Sequence, residues 1–352
     1  MMTVFYQLVA SCITTFIVCL LIVTFRHRHI HISSNTVTGI QDVHQGEVPR
    51  IGGVAIFFGL LVSWILSTKG FGEFTAPFLL SAFPIFLIGF LEDITGKVSV
   101  GLRFVFSFLG ALLAMYLTGI GITQVGIGFV DAIISTPIGS YLFTAFAVAG
   151  IVNAINIVDG FNGLSSAVVI SASLVFAYLS FMGSDELMVQ YCLSIVAVTI
   201  GFALVNYPKG LLFLGDGGAY MLGFLVAWMA ILVPHRTEHV SSWASLLVLS
   251  YPVIEVLFTI YRRVKRRQHP GHPDRLHLHS LIYSRLIRKW FPGRQKYIQN
   301  ALVVPLVLIY MMLSEILVIS FYTQKDALMV CFVVCFVAYM LVYRRLIYFR
   351  WR

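Results

Sequence analysis

Charged residues are scarce in this sequence. Asp, Glu, Lys and Arg together make up 11% of its 352 residues, whereas apolar residues make up 59%. Outside residues 263–297, no polar stretch exceeds about 25 residues, which excludes a separate soluble domain of any size. This composition is typical of a polytopic membrane protein, and we expect a single transmembrane domain covering residues 1–352.

Three other features are absent. A cleavable signal peptide is not indicated, because the charges at 26–28 follow the apolar run of 1–22 instead of preceding it, and we expect a retained first span. Internal repeats and low-complexity segments are also missing. The five cysteines all fall within apolar runs, which indicates small core residues and not metal ligands.

Long apolar runs dominate what is present. A helix needs about 20 apolar residues to cross the hydrocarbon core of a bilayer. On that rule the sequence predicts an all-α membrane protein with about eleven transmembrane helices, at 4–25, 51–68, 76–91, 102–120, 138–155, 163–183, 187–206, 217–234, 243–262, 298–322 and 326–347. The run at 76–91 is short and contains Pro77 and Pro84, so it is the weakest prediction of the set.

Basic residues are distributed unevenly between the loops. With the N-terminus outside, three of the 24 Lys and Arg residues (Lys69, Arg236 and Lys325) lie outside, and the remaining 21 lie inside. Because basic loops stay in the cytoplasm, the sequence predicts the N-terminus out, the C-terminus in, and a cytoplasmic loop at 263–297. This charge favours membrane lipids as partners, and no motif indicates nucleic acid.

Polar residues concentrate in the loops predicted to be inside. In the segment NAINIVDGFNGL, Asn156 and Asp159 are three residues apart, so a continuing helix places them on one face. Gly160 and Gly163 allow the chain to turn and its N–H groups to approach a ligand. The alternative interpretation is a short polar loop between two spans.

Two further loops place carboxylates at the same edge. Glu92 and Asp93 need a metal or a basic partner, unless they form a solvated acidic turn with Lys97. In the segment FLGDGG, Asp216 is expected at a helix N-terminus, where N–H groups are open to an anion and the carboxylate can hold Mg²⁺. Phe213 offers a flat face beside it, or is an ordinary apolar residue at the membrane edge.

The long basic loop contains the segment PDRLHLH. Its histidines allow a zinc site, but no cysteine accompanies them and Arg275 lies among them. A lipid-facing surface explains the arginines. A phosphate site explains Arg275 with His277 and His279 better, because Arg grips phosphate in a fork and protonated His adds donors.

Together these loops bring carboxylates and cations to one membrane face. These are the parts of a phosphoryl-transfer site, and their position suggests one lipid substrate and one soluble substrate. The alternative is a multi-span transporter of a phosphorylated or lipid-linked substrate, with Glu255 and Glu315 as intramembrane acids. Transporter sites tend to lie near the midplane, whereas these motifs lie in loops. Neither acid is explained by the motifs, although Glu255 can cap a polar network near the site.

In order along the chain, these segments resemble the motifs of a known family. They are the HQG…P…GG loop at 44–53, the acidic pair before Lys97, NAINIVDGFNGL, FLGDGG and PDRLHLH. They are similar to those of the polyprenyl-phosphate N-acetylhexosamine-1-phosphate transferases, glycosyltransferase family 4. This family includes bacterial undecaprenyl-phosphate GlcNAc-1-phosphate transferases and, distantly, phospho-MurNAc-pentapeptide translocase.

The resemblance implies an enzyme that transfers a sugar 1-phosphate from a UDP-sugar to undecaprenyl phosphate and releases UMP. The expected sugar is an N-acetylhexosamine, and the expected role is the first step of a lipid-linked surface glycan such as O-antigen. Mg²⁺ is the implied cofactor, with Mn²⁺ as the alternative ion. The implied location is the bacterial inner membrane, with the active site facing the cytoplasm, and a homodimer is left open.

The resemblance also implies roles for individual residues. The metal ligands are Asn156 and Asp216, and the candidate catalytic residues are Asp93, Asp159, His277 and His279. The candidate substrate-binding residues are His44, Arg50, Glu92, Lys97, Asn162, Phe213 and Arg275. Phe213 is expected to stack on uracil and Asn162 to lie near the uracil edge.

Three positions depart from the family pattern. Glu92 stands where the first of two Asp is usual, and it keeps the charge. Asn162 replaces a repeated Asp, and it keeps an acceptor and adds a donor. Ser280 follows His279 where paired histidines are usual, which leaves open whether His277 or His279 carries the role.

Overall fold

The computed structural model describes residues 2–28, 48–265 and 276–348. Within these ranges the chain is helical and contains no strand. The helices are α1 (Met2–Thr24), α2 (Gly52–Ile65), α3 (Lys69–Thr95), α4 (Val100–Thr118), α5 (Gly128–Ile134), α6 (Pro137–Val158), α7 (Leu164–Met182), α8 (Glu186–Asn206), α9 (Gly215–Arg236), α10 (Ser242–Val248), α11 (Ser250–Lys265), α12 (Leu278–Ile282), α13 (Arg288–Trp290), α14 (Lys296–Ala301), α15 (Val303–Phe321) and α16 (Lys325–Tyr348). A π-helical turn, Tyr283–Ile287, joins α12 to α13.

The predicted class, an all-α polytopic membrane protein, is confirmed. Within the described ranges, nine helices are long and apolar enough to cross a membrane, with α14 and α15 counted together as Lys296–Phe321. The pair α10 and α11 forms a tenth candidate, which is bent by 76°. The 14-residue α2 occupies the remaining predicted span. The bend in the span predicted at 243–262 was not foreseen.

The weakest predicted span is one of the longest helices. The run expected at 76–91 belongs to α3, which has 27 residues and continues through Pro77 and Pro84. In an apolar environment the backbone must satisfy its hydrogen bonds within the helix. A proline is tolerated there because neighbouring helices can satisfy the backbone groups that it leaves unpaired. The helix ends at Gly96, whose φ of 63° suits glycine. Asp93 therefore lies in the last turn of a helix and not in a loop.

Helix α9 lies at the centre of the bundle. It is buried on nearly all sides and packs against α2, α3, α6 and α7. Glycines permit this closeness: a Cβ atom at Gly89 would lie 2.7 Å from Cα of Gly217, and one at Gly53 would overlap the backbone nitrogen of Gly218. Small residues at such contacts let membrane helices approach each other. The glycine pair at 52–53 thus lets the start of α2 pack closely on the start of α9.

The orientation in the membrane is a prediction that reporter fusions can check. Fusions after residues 128, 212 and 280 are expected to report outside, inside and inside, because 21 of the 24 basic residues fall in the predicted inside segments. A reporter with activity only in the cytoplasm and one with activity only outside give complementary signals. An outside signal at residue 280 would contradict the arrangement.

Candidate active site

A carboxylate from the end of α3 holds the N-terminus of α9. Asp93 is buried and accepts hydrogen bonds from the backbone N–H groups of Asp216 (2.7 Å) and Gly217 (2.9 Å). The first N–H groups of a helix lack partners within it, and the helix dipole favours negative charge there. The prediction that these groups are open to a substrate anion is wrong, because Asp93 occupies them. The alternative of a solvated acidic turn is wrong too, because Asp93 is buried.

Asp216 is the centre of a polar cluster. Its Oδ1 accepts a hydrogen bond from Nδ2 of Asn156 at 3.1 Å, and Nη2 of Arg50 lies 3.9 Å from the same oxygen. Its Oδ2 contacts Nη1 of Arg103. Asn156 comes from the last turn of α6, Arg103 from the first turn of α4, and Arg50 from the segment before α2. The two predicted metal ligands are therefore adjacent, and two guanidinium groups offset the carboxylate charge.

Arg103 is a site residue that the motifs did not single out. Its guanidinium is buried, and its Cζ lies 5.5 Å from the centroid of the Tyr220 ring. Its Nε is buried and has no hydrogen-bond partner among the described residues. A charge buried in a membrane helix is usually functional and paired. The signal available in the sequence was an arginine inside the first turn of an apolar run.

Backbone hydrogen bonds join the first and fourth loops. The N–H of Phe213 donates to the carbonyl of Pro49, that of Gly52 to the carbonyl of Phe213, and that of Gly53 to the carbonyl of Leu214, each at 2.9 Å. A Cβ atom at Gly52 would lie 2.7 Å from the Phe213 carbonyl oxygen, so this pairing needs glycine. The pairing fixes the loop that carries Asp216 against the segment that carries Arg50.

A narrow cavity lies beside this cluster. Four of the predicted residues line it together: Arg50, Asp159, Asn162 and Phe213. Its walls also include two asparagines that sequence reasoning missed, Asn206 at the end of α8 and Asn300 in α14. The structure therefore brings residues of the first, third and fourth loops to one concave site, as the sequence predicted.

Long-range hydrogen bonds shape the third loop. The N–H of Asn162 donates to Oδ1 of Asn300 at 2.7 Å, and its Nδ2 donates to the carbonyl of Pro208 at 3.0 Å. The N–H of Gly163 donates to Oδ1 of Asn206 at 2.6 Å. The partners are distant in sequence and carry no local motif, which is why Asn206 and Asn300 were not predicted.

Asp159 follows the end of α6 and faces the same cavity. Its Oδ1 accepts a hydrogen bond from Oγ of Ser165 at 2.5 Å. Burial raises the pKa of Asp159 to about 7, although the Ser165 hydrogen bond and the charge of Arg50 act in the opposite direction. Near neutral pH this carboxyl therefore holds a proton in part of the molecules, so it has the capacity to accept or release one at this site.

His279 lies against the third loop, and His277 stacks on His279. The ring of His279 packs edge-on to Phe161 with centroids 5.6 Å apart, and its Nδ1 is 2.9 Å from the Tyr251 hydroxyl. Burial lowers the pKa of His279 to about 3, so this ring is neutral at physiological pH. His277 stacks on His279 with centroids 5.3 Å apart, and its Nδ1 lies 2.9 Å from Oε1 of Glu255. The expectation that protonated His adds donors therefore fails for His279.

The remaining candidates lie apart from the cluster or outside the described residues. Oε2 of Glu92 accepts a hydrogen bond from the N–H of Val98 at 2.6 Å and closes the turn after α3. Lys97 is exposed in that turn. His44 and Arg275 lie outside the described residues. Substrate binding by these four residues stays a prediction.

Asn156 and Asp216 fit an Mg²⁺ ion that takes its other ligands from water and substrate. Mg²⁺ prefers oxygen donors and is commonly held by one or two carboxylates together with phosphate oxygens. Rotating the side-chain amide of Asn156 by 180° would place its Oδ1, in place of its Nδ2, beside the Asp216 carboxylate. Across the described ranges, no three His, Cys, Asp or Glu side chains are grouped to hold a metal ion by themselves. An ion held by Asn156 and Asp216 would leave positions for water and phosphate oxygens.

Comparisons with known proteins agree with the motifs. The family model described as glycosyl transferase family 4 matches residues 75–234, which include the second, third and fourth motifs. The predicted family resemblance is confirmed.

Three curated relatives show the extent of the similarity. The chain is 26% identical over 243 residues to a probable undecaprenyl-phosphate N-acetylglucosaminyl 1-phosphate transferase of Bacillus subtilis, which covers 69% of this chain and 67% of the relative. It is 26% identical over 280 residues to the undecaprenyl-phosphate alpha-N-acetylglucosaminyl 1-phosphate transferase of Yersinia pestis, covering 77% and 74%. It is 27% identical over 307 residues to the protein of that name in Escherichia coli K12, covering 84% and 80%.

These similarities favour the transferase interpretation over the transporter alternative. The family match ends at residue 234, so it does not include the two histidines or Glu255. The positions of α11 and α12 therefore come from the structure and not from the family match.

Proposed function

We propose that this protein transfers an N-acetylhexosamine 1-phosphate group from a UDP-sugar to undecaprenyl phosphate, giving undecaprenyl-diphosphate-sugar and UMP. The observation that carries the proposal is the Asp216 cluster, where a carboxylate, an amide and two guanidinium groups meet beside a narrow cavity. The relatives are named for N-acetylglucosamine, so UDP-N-acetylglucosamine is the first donor to test.

The chemistry needs charge neutralisation more than it needs a strong base. A phosphate monoester has a second pKa of about 6, so most of the lipid phosphate is a dianion at neutral pH. Its oxygen attacks the sugar-linked phosphorus, and the bond from that phosphorus to the UMP oxygen breaks. The guanidinium groups of Arg50 and Arg103 lower the repulsion between the two anions, as cationic side chains do in other phosphoryl transfers.

The residues around Asp216 divide the work of holding the site. Asp93 acts through α9, because its carboxylate binds the N–H groups of Asp216 and Gly217 and so fixes the start of that helix. Asp159 is placed to take up or release a proton near pH 7. Mg²⁺, or Mn²⁺ in its place, is part of the proposal: bound at Asp216 and Asn156, it supplies positive charge to phosphate oxygens.

The uridine of the donor is proposed to occupy the cavity. Phe213 offers its ring at one wall, and the third loop places the backbone and side chain of Asn162 at another. We place the cavity on the cytoplasmic side of the bacterial inner membrane, because UDP-sugars are made in the cytoplasm. The product would then begin a lipid-linked surface glycan such as O-antigen.

A single assay tests the proposal. The purified chain in detergent is incubated with undecaprenyl phosphate, Mg²⁺ and a panel of radiolabelled UDP-sugars, and both the labelled lipid and UMP are measured. We expect equal amounts of the two products with at least one UDP-N-acetylhexosamine, and none after EDTA treatment. The E. coli K12 relative in the same detergent is the positive control. If that control is active and this chain uses no UDP-sugar, the proposal is wrong.

A further inference from the structure

Glu255 is a buried carboxylate that the proposed chemistry does not use. It lies on α11 and has no exposed surface. Its Oε2 accepts hydrogen bonds from the Tyr339 hydroxyl at 2.9 Å and from the N–H of Leu278 at 3.0 Å. Its Oε1 lies 2.9 Å from Nδ1 of His277. A carboxylate within a membrane span is costly, and three donors stabilise its charged form.

These contacts fix both a ring and a helix start. Leu278 is the first residue of α12, so its N–H has no partner within that helix. His277 immediately precedes it. One carboxylate therefore caps α12 through Oε2 and holds the imidazole of the preceding residue through Oε1. The position of the ring is coupled to the position of the helix that carries His279.

The pairing also decides the proton on His277. An ionised carboxylate can only accept hydrogen bonds, so Nδ1 of His277 must carry the proton in this contact. Nε2 has no hydrogen-bond partner within the described part of the chain. In other proteins a carboxylate at one ring nitrogen sets the tautomer and stabilises the positively charged ring.

His279 has a different environment. Its Nδ1 meets the neutral hydroxyl of Tyr251 at 2.9 Å, and its ring packs edge-on to Phe161. A Cβ atom at Gly160 would lie 3.6 Å from Nε2 of His279, so this ring fills space under the third loop. The two rings therefore differ in their Nδ1 partners: a hydroxyl for His279 and a carboxylate for His277.

We propose that Glu255 is a positioning residue: through Nδ1 it fixes the ring of His277, and through the N–H of Leu278 it fixes the start of α12, so that Nε2 of His277 is held in one direction toward the substrates. The substrate side of this assignment rests on the proposed function. His279, between Tyr251 and Phe161, is then a packing residue. The bend between α10 and α11 contributes to this arrangement, because Glu255 lies on α11 and its carboxylate reaches the start of α12.

Other side chains hold the surroundings of this contact in place. Arg262 donates hydrogen bonds to the Leu276 carbonyl at 3.0 Å and to the Tyr343 hydroxyl at 2.7 Å. Glu255 is therefore joined to α16 directly through Tyr339, and the residue before His277 is joined to α16 through Arg262.

The decisive variant is Glu255→Gln, which keeps the shape and removes the charge. We expect kcat to fall about tenfold with both KM values within threefold of wild type, since removing a partner that orients a functional group typically costs 10- to 100-fold.

Glu315→Gln is the matched control. Glu315 is also a buried acid in a span, and its Oε1 accepts a hydrogen bond from Ser171 at 2.6 Å. Glu315→Gln should leave kcat within threefold of wild type. A double variant of Glu255→Gln with His277→Gln should be no slower than His277→Gln alone. Losses that multiply, or a kcat for Glu255→Gln within threefold of wild type, would overturn the proposal.

A spectroscopic measurement separates this inference from the proposed function. In protein labelled with ¹⁵N in the histidine rings, the signal that disappears in His277→Gln identifies His277 without any substrate. We expect its Nδ1 to be protonated at pH 7, and an unprotonated Nδ1 refutes the pairing with Glu255. This readout needs only the folded wild type and His277→Gln, so it decides the matter even if Glu255→Gln fails to fold. It is also independent of which sugar is transferred.

Discussion

Asp216→Asn is expected to lower turnover at least about 100-fold while the protein still folds. The substitution keeps the shape of the side chain but removes the charge that would hold Mg²⁺ between two phosphates. It also leaves the buried guanidinium of Arg103 without its carboxylate, so a clear loss of thermal stability is expected. Turnover is measured with excess Mg²⁺, well below the melting temperature of the variant.

Asp185→Asn is a matched control for this variant. Asp185 caps α8 through the N–H of Met188 at 3.1 Å and pairs with Arg236, which is the last residue of α9, whereas Asp216 lies at the start of that helix. Asp185→Asn therefore removes a carboxylate–arginine pair of the same kind, away from the cavity. We expect near-normal turnover for Asp185→Asn. Turnover within threefold of wild type for Asp216→Asn would show that Asp216 is not the metal ligand.

Phe213→Ala is expected to raise the KM for the UDP-sugar about tenfold to a hundredfold. The half-buried ring lines the cavity with Arg50, Asp159 and Asn162, and its backbone is fixed by hydrogen bonds to Pro49 and Gly52. Stacking of a base on an aromatic ring contributes about 1–3 kcal/mol, and each 1.4 kcal/mol corresponds to a factor of ten. The KM for undecaprenyl phosphate should change little, because that substrate has no base.

Phe213→Tyr and the melting temperature distinguish stacking from packing. Tyrosine keeps the aromatic face, so this variant should bind the donor nearly as well as the wild type. If Phe213 only packs against its neighbours, Phe213→Ala lowers the melting temperature and raises both KM values equally. That outcome would remove Phe213 from the donor site.

The site and the further inference make separate claims about charge. At the Asp216 cluster, arginines from two segments offset one carboxylate, and the proposed ion needs substrate oxygens to complete its ligands. At Glu255, one carboxylate stabilises one histidine and one helix start. The first arrangement prepares for an anionic substrate. The second fixes the position of the His277 ring relative to that substrate.

The sequence by itself determined the class of the protein and most of the candidate site. Apolar runs of about 20 residues have few structural alternatives in a bilayer, so most helices could be placed to within a few residues; α3 and the bent pair α10 and α11 are the exceptions. Asp216 and Asn156 fall in short polar segments between such runs. Segments at the same membrane edge can come into contact in more than one arrangement of the helices. That is why the predicted metal ligands are adjacent and why Arg50, Asp159, Asn162 and Phe213 line one cavity.

Only the tertiary structure decided what each polar side chain contacts. Asp93 was expected to face a substrate or solvent, but α3 continues through two prolines and delivers it to the N-terminus of α9. Arg103, Asn300 and Glu255 find partners in distant parts of the chain, and no local pattern encodes those distances. The tertiary structure also separated two similar histidines, since Nδ1 of His279 meets a neutral hydroxyl and Nδ1 of His277 meets a carboxylate.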